Sequence, residues 1–280
     1  MRQSETFHSA EKNQFLEKAY KKALEIIERD RIKTDELADL YGAETIARDN
    51  AYVKKREEEF EISLSDADRQ QRKLAAVFEA ILHEHGEQSN WFGEAAVTIK
   101  TSRFDDIVNG VDEIVEFEEK ATSPSYLALA VDATYSTFPD HKLIKIKEEI
   151  NKGELAQIKY AVAENTGFRG ELNKVPRVVI GVSSRTVNEL AELWLSKDNK
   201  VLANHPVQMQ ILEEVLMQAK AFAKYAENIG QPEIARKYEK TQAIITGVIE
   251  KKKNQQGFSD SGKRDDVFVS LEVALSHAMR

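Results

Sequence analysis

Between residues 95 and 132 the hydrophobic pattern switches from a helical period to a period of two, so a purely helical fold does not fit this chain. Val111 to Glu118 (VDEIVEFE) alternates apolar and acidic residues, which predicts a half-buried strand. Tyr126 to Val131 (YLALAV) is an unbroken apolar run, as expected of a central strand covered on both faces. Ala95 to Lys100 is a third strand, and Leu155 to Val162 and Arg177 to Val182 (RVVIGV) supply two more.

Helices flank this region. Phe15, Leu16, Ala19, Tyr20, Ala23 and Ile27 recur at helical spacing; a second start is expected at Thr34, with a break at Gly42. Lys54 to Glu61 is charged enough to be a solvated helical face. Ser65 and Asp68 have capping-box spacing ahead of an apolar stripe of Leu74, Val77, Phe78, Ile81 and Leu82, with Gly86 as the expected stop. Lys142 to Ile150 reads as an amphipathic helix, and Thr186 to Leu195, Pro206 to Ala226 and the segment from Pro232 towards Lys253 read as further helices. The polar segment 254–266 reads as a linker before a short terminal helix. The expected organisation is an N-terminal helical region (1–64), an α/β core (65–200), a C-terminal helical pair packed on it (201–253), and the linker with its helix (254–280).

Composition narrows the chemistry. The 280 residues include no cysteine, which excludes disulfides, thiolate zinc sites and a cysteine nucleophile. No apolar run approaches the roughly 20 residues of a membrane span, and the N-terminus lacks a signal-peptide core, so a cytoplasmic protein without membrane partners is expected. There is no Walker-type loop, GxGxxG or GxSxG, and the aromatic residues show no grouping that marks a base-stacking platform. The net charge of −8 opposes a strongly basic nucleic-acid coat, but local charge decides binding. Residues 105–120 hold seven acids and one base, while 140–185 hold nine bases and six acids.

The acids fall where chemistry is expected. Asp112 opens the second strand after Asn109-Gly110, Asp105 and Asp106 precede it, and Asp132 ends the apolar third strand. A carboxylate beside a buried strand needs a cation, a donor or a proton. If the two strands are neighbours, Asp112 and Asp132 converge at one edge of the sheet as an all-oxygen site for Mg²⁺ or Mn²⁺.

The element order, with FDDIVNGVDEIVEF (Phe104 to Phe117) and LALAVDATYS (Leu127 to Ser136), resembles the PD-(D/E)XK nuclease superfamily over about residues 66–182. The resemblance implies an α/β fold with a small mixed sheet. Its restriction-endonuclease-like core would run helix, three strands, helix, strand, flanked by N- and C-terminal helices. It also implies divalent-metal-dependent hydrolysis of nucleic acid, with DNA as the expected partner. Asp112, or alternatively Asp106, matches the first acid and Asp132 the second. A glutamate of the first core helix, Glu79 or Glu84, is a further metal ligand. Asp106, Asp112, Asp132 and Glu79 are therefore the expected metal set.

The family lysine falls at Thr134, a departure that calls for a lysine from elsewhere. Lys145 and Lys159 are the catalytic candidates beside Asp112 and Asp132, with Lys142 and Lys100 as alternatives. His83 and His85 read as structural, and Ser183 as a helix cap. Thr134 and the acidic balance also admit a second reading, a degenerate nuclease fold kept as a binding or scaffold module. The C-terminal helices are a possible homodimer surface.

Overall fold

The computed structural model describes residues 2–118, 124–134, 140–163, 166–255 and 260–279, and leaves aside the side chains of 2–13 and 130–140. Helices α1 (Arg2–Asp30), the single turn α2 (Ala38–Tyr41), α3 (Ala43–Ser63) and α4 (Asp66–Gln88) precede the sheet. The capping box is present: the Ser65 side chain accepts from the Asp68 backbone N–H, and the Asp68 side chain accepts from that of Ser65. This fixes where α4 begins and hence which face it turns inward. Leu74, Val77, Phe78, Ile81 and Leu82 are all buried.

Strands β1 (Ala96–Lys100), β2 (Glu113–Phe117) and β3 (Ser125–Thr134) follow, then α5 (Asp140–Asn151), β4 (Ala156–Ala163), β5 (Phe168–Val175) and β6 (Arg177–Ser183). Helices α6 (Ser184–Leu195), α7 (Asn199–Ala203), α8 (Val207–Asn228), α9 (Pro232–Lys253) and α10 (Asp266–Ala278) complete the chain. The main sheet is mixed, in the order β1-β2-β3-β6: β1, β2 and β3 form an antiparallel meander, and β6 runs parallel to β3. A separate antiparallel hairpin pairs β4 with β5.

Burial follows strand parity. Leu127 and Leu129 of β3 and Val178, Ile180 and Val182 of β6 pack under α4 and α6. On the other face Ala128 meets the β4–β5 hairpin, and Val179 meets α5, α8 and α10. Strand β6 is thus apolar because both of its faces are covered.

Three expectations are corrected here. Leu155 to Val162 was expected in the main sheet with Arg177 to Val182 as an extra strand; the structure puts β4 in the hairpin and β6 beside β3. The difference is physical: β6 carries large aliphatics on alternate sides, whereas β5 is mostly exposed or half-buried and serves β4 as a one-sided cover. Strand β2 is buried at every position rather than half-buried, with Glu113 and Glu116 inside. Gly86 also does not end α4. It lies within the helix, where a Cβ would collide with the Thr98 side chain of β1, so it allows helix and strand to approach closely.

Strand β6 is an edge, yet its outer backbone groups are not left open. Gln218 accepts from Val179 N–H (2.9 Å) and donates to its carbonyl (2.6 Å). Glu214 accepts from Gly181 N–H (2.9 Å), Gln210 donates to Gly181 O (3.3 Å), and Asp265 accepts from Ser183 N–H (2.7 Å). Gln210, Glu214 and Gln218 are four residues apart on α8, a rise of about 6.0 Å per step. Glu214 and Gln218 meet Gly181 and Val179, two apart on the strand and about 6.6 Å per step, while Gln210 shares Gly181 with Glu214. The near match lets one helix face complete the ladder of an edge strand.

Glu214 has no exposed surface, and burial holds its carboxyl well above the ordinary glutamate range. A folded value above the unfolded one stabilises the protein at low pH, and that stability is lost as pH rises through the folded value. Glu214→Gln removes this titration. Its unfolding free energy in urea is expected to fall less than that of the natural protein between about pH 5 and pH 9; parallel pH profiles would show that Glu214 is ionised in the fold.

Candidate active site

The β1–β2 register places Lys100 directly across from Glu113, and α4 packs over that end of the sheet. Glu79 and His83, one turn apart on α4, therefore reach the same point. The Lys100 side chain has no exposed surface. Its ammonium is paired with Glu79, lies 4.0 Å from Glu113 Oε2, and donates to the Asp112 carbonyl. Burial lowers the Lys100 pKa, but Glu79, Glu113, Asp106 and Asp112 outweigh it and hold the value above that of a free lysine. The amine is a fixed cation.

The acids arrive on a π-helical turn, Asp105–Asn109, closed by Gly110. Gly110 has φ +68°, a left-handed backbone that favours glycine, and it lies close under the Lys145 amine. Asp105 points inward and holds the turn: it accepts from Ser102 Oγ (2.6 Å), Asn109 Nδ2 (2.6 Å) and the backbone N–H groups of Lys159 (2.7 Å) and Tyr160 (3.0 Å). Asp106 faces the cluster, accepting from Arg31 (3.2 Å) and Arg103 (3.0 Å). Burial raises its pKa, but Lys100, Arg31 and Arg103 prevail and keep it below the usual carboxylate range.

Asp112 is the opposite case. Burial, then the charges of Asp106 and Glu79, push its carboxyl up to about 8, against the lowering effect of Lys100 and Lys142. At neutral pH the protonated Asp112 carboxyl donates to the Asp106 carboxylate. Two neighbouring acids that share one proton do not both ionise at neutral pH unless a further cation joins them. Burial also raises Glu79.

The remaining expected residues separate clearly. The Asp112 N–H donates to Leu129 O (3.0 Å), and Asp132 lies three residues further along β3, opposite Gly181 of β6. The backbone thus carries Asp132 to the same end of the sheet; the side chains of Asp132 and Thr134 lie outside the described residues. Glu84 turns away to accept from Trp194 Nε1 (2.6 Å), so Glu79 is the α4 acid at the cluster. Lys159 is paired with Asp49, and Lys145 donates to Asn109 O (3.1 Å). The lysine held between the acids is Lys100. His83 links Glu113 (Nδ1 to Oε1, 2.8 Å) to Asp30 (Nε2 to Oδ2, 3.4 Å). His85 is buried beside Trp91 and bonded to Ser89, a structural role.

Sequence spacing did not single out Arg31, Arg103 or Glu113. The signal for Glu113 is the hairpin register, and that for Arg103 is its i,i+3 spacing to Asp106. Arg31 reaches the site only through the packing of α1 on α4. A cleft of about 510 Å³ runs between α1 and α4 and ends at Glu79 and Asp106.

The donor set suits a hard divalent cation in its chemistry: all ligand atoms are oxygen, one proton occupies the place between two acids, Glu79 Oε1 is held by the Lys100 ammonium, and buried Glu113 Oε2 accepts no hydrogen bond among the described residues. Among those residues no group of three acids or histidines is yet gathered around one point. No helix there is long and apolar enough to cross a membrane. Comparison with protein-family models, curated proteins and solved structures finds no match, and the reading of the site rests on this geometry.

Asp112→Asn removes the repelling carboxyl. The variant is expected to gain on the natural protein as pH rises from about 4 to about 8, where unfolded Asp112 is ionised and folded Asp112 keeps its proton, so its advantage is larger near pH 8 than near pH 5. Paired urea titrations at the two pH values test this, and a difference that does not widen with pH would place the shared proton elsewhere.

Proposed function

We propose that the chain is a divalent-metal-dependent nuclease acting on DNA, with a PD-(D/E)XK-like core. The observation that carries the reading is a fully buried lysine held between Glu79, Glu113 and the Asp106–Asp112 turn, at the sheet end to which β3 brings Asp132. The order α4-β1-β2-β3-α5, followed after the inserted β4–β5 hairpin by β6 parallel to β3, supports the same reading.

Asp106, Asp112, Asp132 and Glu79 are the residues that would hold Mg²⁺ or Mn²⁺. When bound, such an ion polarises a phosphodiester and lowers the pKa of a coordinated water. The chain's own contribution is separate. Arg31 and Arg103 keep Asp106 ionised and bring guanidinium groups next to it, suited to a phosphate oxygen. Asp112 releases its proton readily once a further cation offsets Asp106 and Glu79. Lys100, coming from β1, supplies the ammonium that the family pattern would place at Thr134. The His83–Glu113 pair fixes Glu113 and so the height of Lys100 in the cluster.

One observation favours the second reading, a metal-free scaffold derived from such a fold: the Lys100 ammonium already has ion partners and a carbonyl acceptor. The deciding experiment is a cleavage assay with Mg²⁺ and with Mn²⁺ on single-stranded, duplex and branched DNA and on RNA. Metal-dependent DNA cleavage is expected. Asp112→Asn should lower it by about 10²-fold or more, Lys100→Met should abolish it, and Lys159→Met should retain it. A natural protein without activity, or an Asp112→Asn variant as active as its parent, would overturn the nuclease reading.

A further inference from the structure

The cleft that ends at Glu79 and Asp106 has a chemistry of its own. Its walls are α1 and α4, and its described lining includes Arg31, Arg69, Arg72, Lys73, Arg103 and Tyr20. Five cations face three carboxylates there, in a chain whose net charge is −8. This is local positive charge in an acidic protein, the condition for steering a polyanion to one place.

The cations are held in reserve. Glu61 pairs with both Arg69 and Arg72 (3.3 Å to Arg72), and Glu17 pairs with Lys73; all these side chains are partly or largely exposed. Exposed pairs of this kind are worth about 0–1 kcal/mol, so a phosphate displaces them at little cost. At the inner end Arg31 is 6% exposed, and its Nε donates no hydrogen bond among the described residues. The Glu28 carboxylate lies 3.9 Å from this Nε, beyond hydrogen-bond distance, so an anion entering the cleft would give it a closer acceptor.

The wall of the cleft offers more than charge. Tyr20 adds an aromatic face on the cleft wall, with Lys73 Nζ 5.7 Å from its ring centre. Cations that follow a backbone beside an aromatic face are the pattern of single-strand recognition.

We propose that this cleft binds single-stranded DNA, its phosphates on Arg69, Arg72 and Lys73 at the mouth and on Arg31 and Arg103 inside, with a base against Tyr20. The inference rests on the nuclease reading only for what happens to the strand at the acids; binding itself does not require cleavage.

The test is fluorescence anisotropy with a labelled twenty-residue oligothymidine and a blunt duplex of equal length, without divalent metal, across a salt series. The full chain is expected to bind the single strand at least about tenfold more tightly than the duplex. Arg69→Ala/Arg72→Ala should weaken single-strand binding about tenfold or more and reduce the salt slope by about two. Tyr20→Ala should weaken it about fivefold or more. Glu61→Gln, which frees both arginines, should tighten it, a gain that a damaged fold does not produce. Equal affinity for duplex and single strand, or binding indifferent to Arg69, Arg72 and Glu61, would overturn the proposal. Strand binding that follows these variants in a protein that never cleaves would uphold the cleft and reject the nuclease instead.

Discussion

An ammonium group with no exposed surface dictates the arrangement of one whole end of this fold. Burying Lys100 costs several kcal/mol unless its charge is met at close range. The hairpin register meets it from one side with Glu113, and α4 meets it from another with Glu79. The chain between β1 and β2 cannot then run as an ordinary turn, because the Asp112 carbonyl must also face the amine. The π-helical turn solves this, with Asp105 fastened inward and Asp106 left facing the cluster. The acids are consequently more crowded than the local cations offset, and Asp112 retains a proton up to about pH 8.

The two sides of the sheet are finished differently, and the contrast locates function. At β6 the outer backbone groups of Val179, Gly181 and Ser183 are met by α8 and Asp265. Nothing there asks for a ligand. Around the 105–112 turn the opposite holds. Among the described residues, the buried side-chain atoms without a hydrogen bond belong to Arg31, Glu79, Glu113, Glu116, Glu149 and Arg177. All but Glu116 belong to the cluster or to the Arg177–Glu149 pair, which contacts the Gly110 carbonyl (3.4 Å from Arg177). Glu79 has the Lys100 ammonium as its ion partner, and the other unmet atoms here lie in the proposed site or next to it.

What could be read from sequence was what local order determines. The capping box at Ser65, the apolar stripe of α4 and the change of period at β2 and β3 follow from neighbouring residues. So does the nearness of Asp106 and Asp112 to one strand end. Choices made across distance were not legible. Whether β4 or β6 pairs with β3 depends on what covers each strand. Whether Lys100, Lys145 or Lys159 meets the acids depends on the β1–β2 register and on Asp49, a residue of α3 that captures Lys159. Glu79 and Glu84 sit on the same helix and differ only in rotation, which the packing of Trp194 against Glu84 settles. Gly86 looked like a helix stop because its role, the close approach of Thr98, lies on another element.

The acidic balance of the chain and a basic cleft are compatible for a physical reason. Long-range attraction falls off within about 10 Å at moderate salt, so a strand near the cleft responds to Arg69, Arg72 and Lys73 more than to distant acids. Those cations are already paired with Glu61 and Glu17, which offset part of their charge when the cleft is empty. Exchanging a surface carboxylate for a phosphate changes the energy little at each position, so the release of counterions from the strand supplies much of the drive. Deeper in, the exchange is unequal: Arg31 is buried and has an N–H to satisfy, while Asp106 keeps its carboxylate. In the proposed complex Arg31 would therefore be the inner anchor of the strand, and the Asp106 carboxylate beside it would set how close a phosphate comes to the acids.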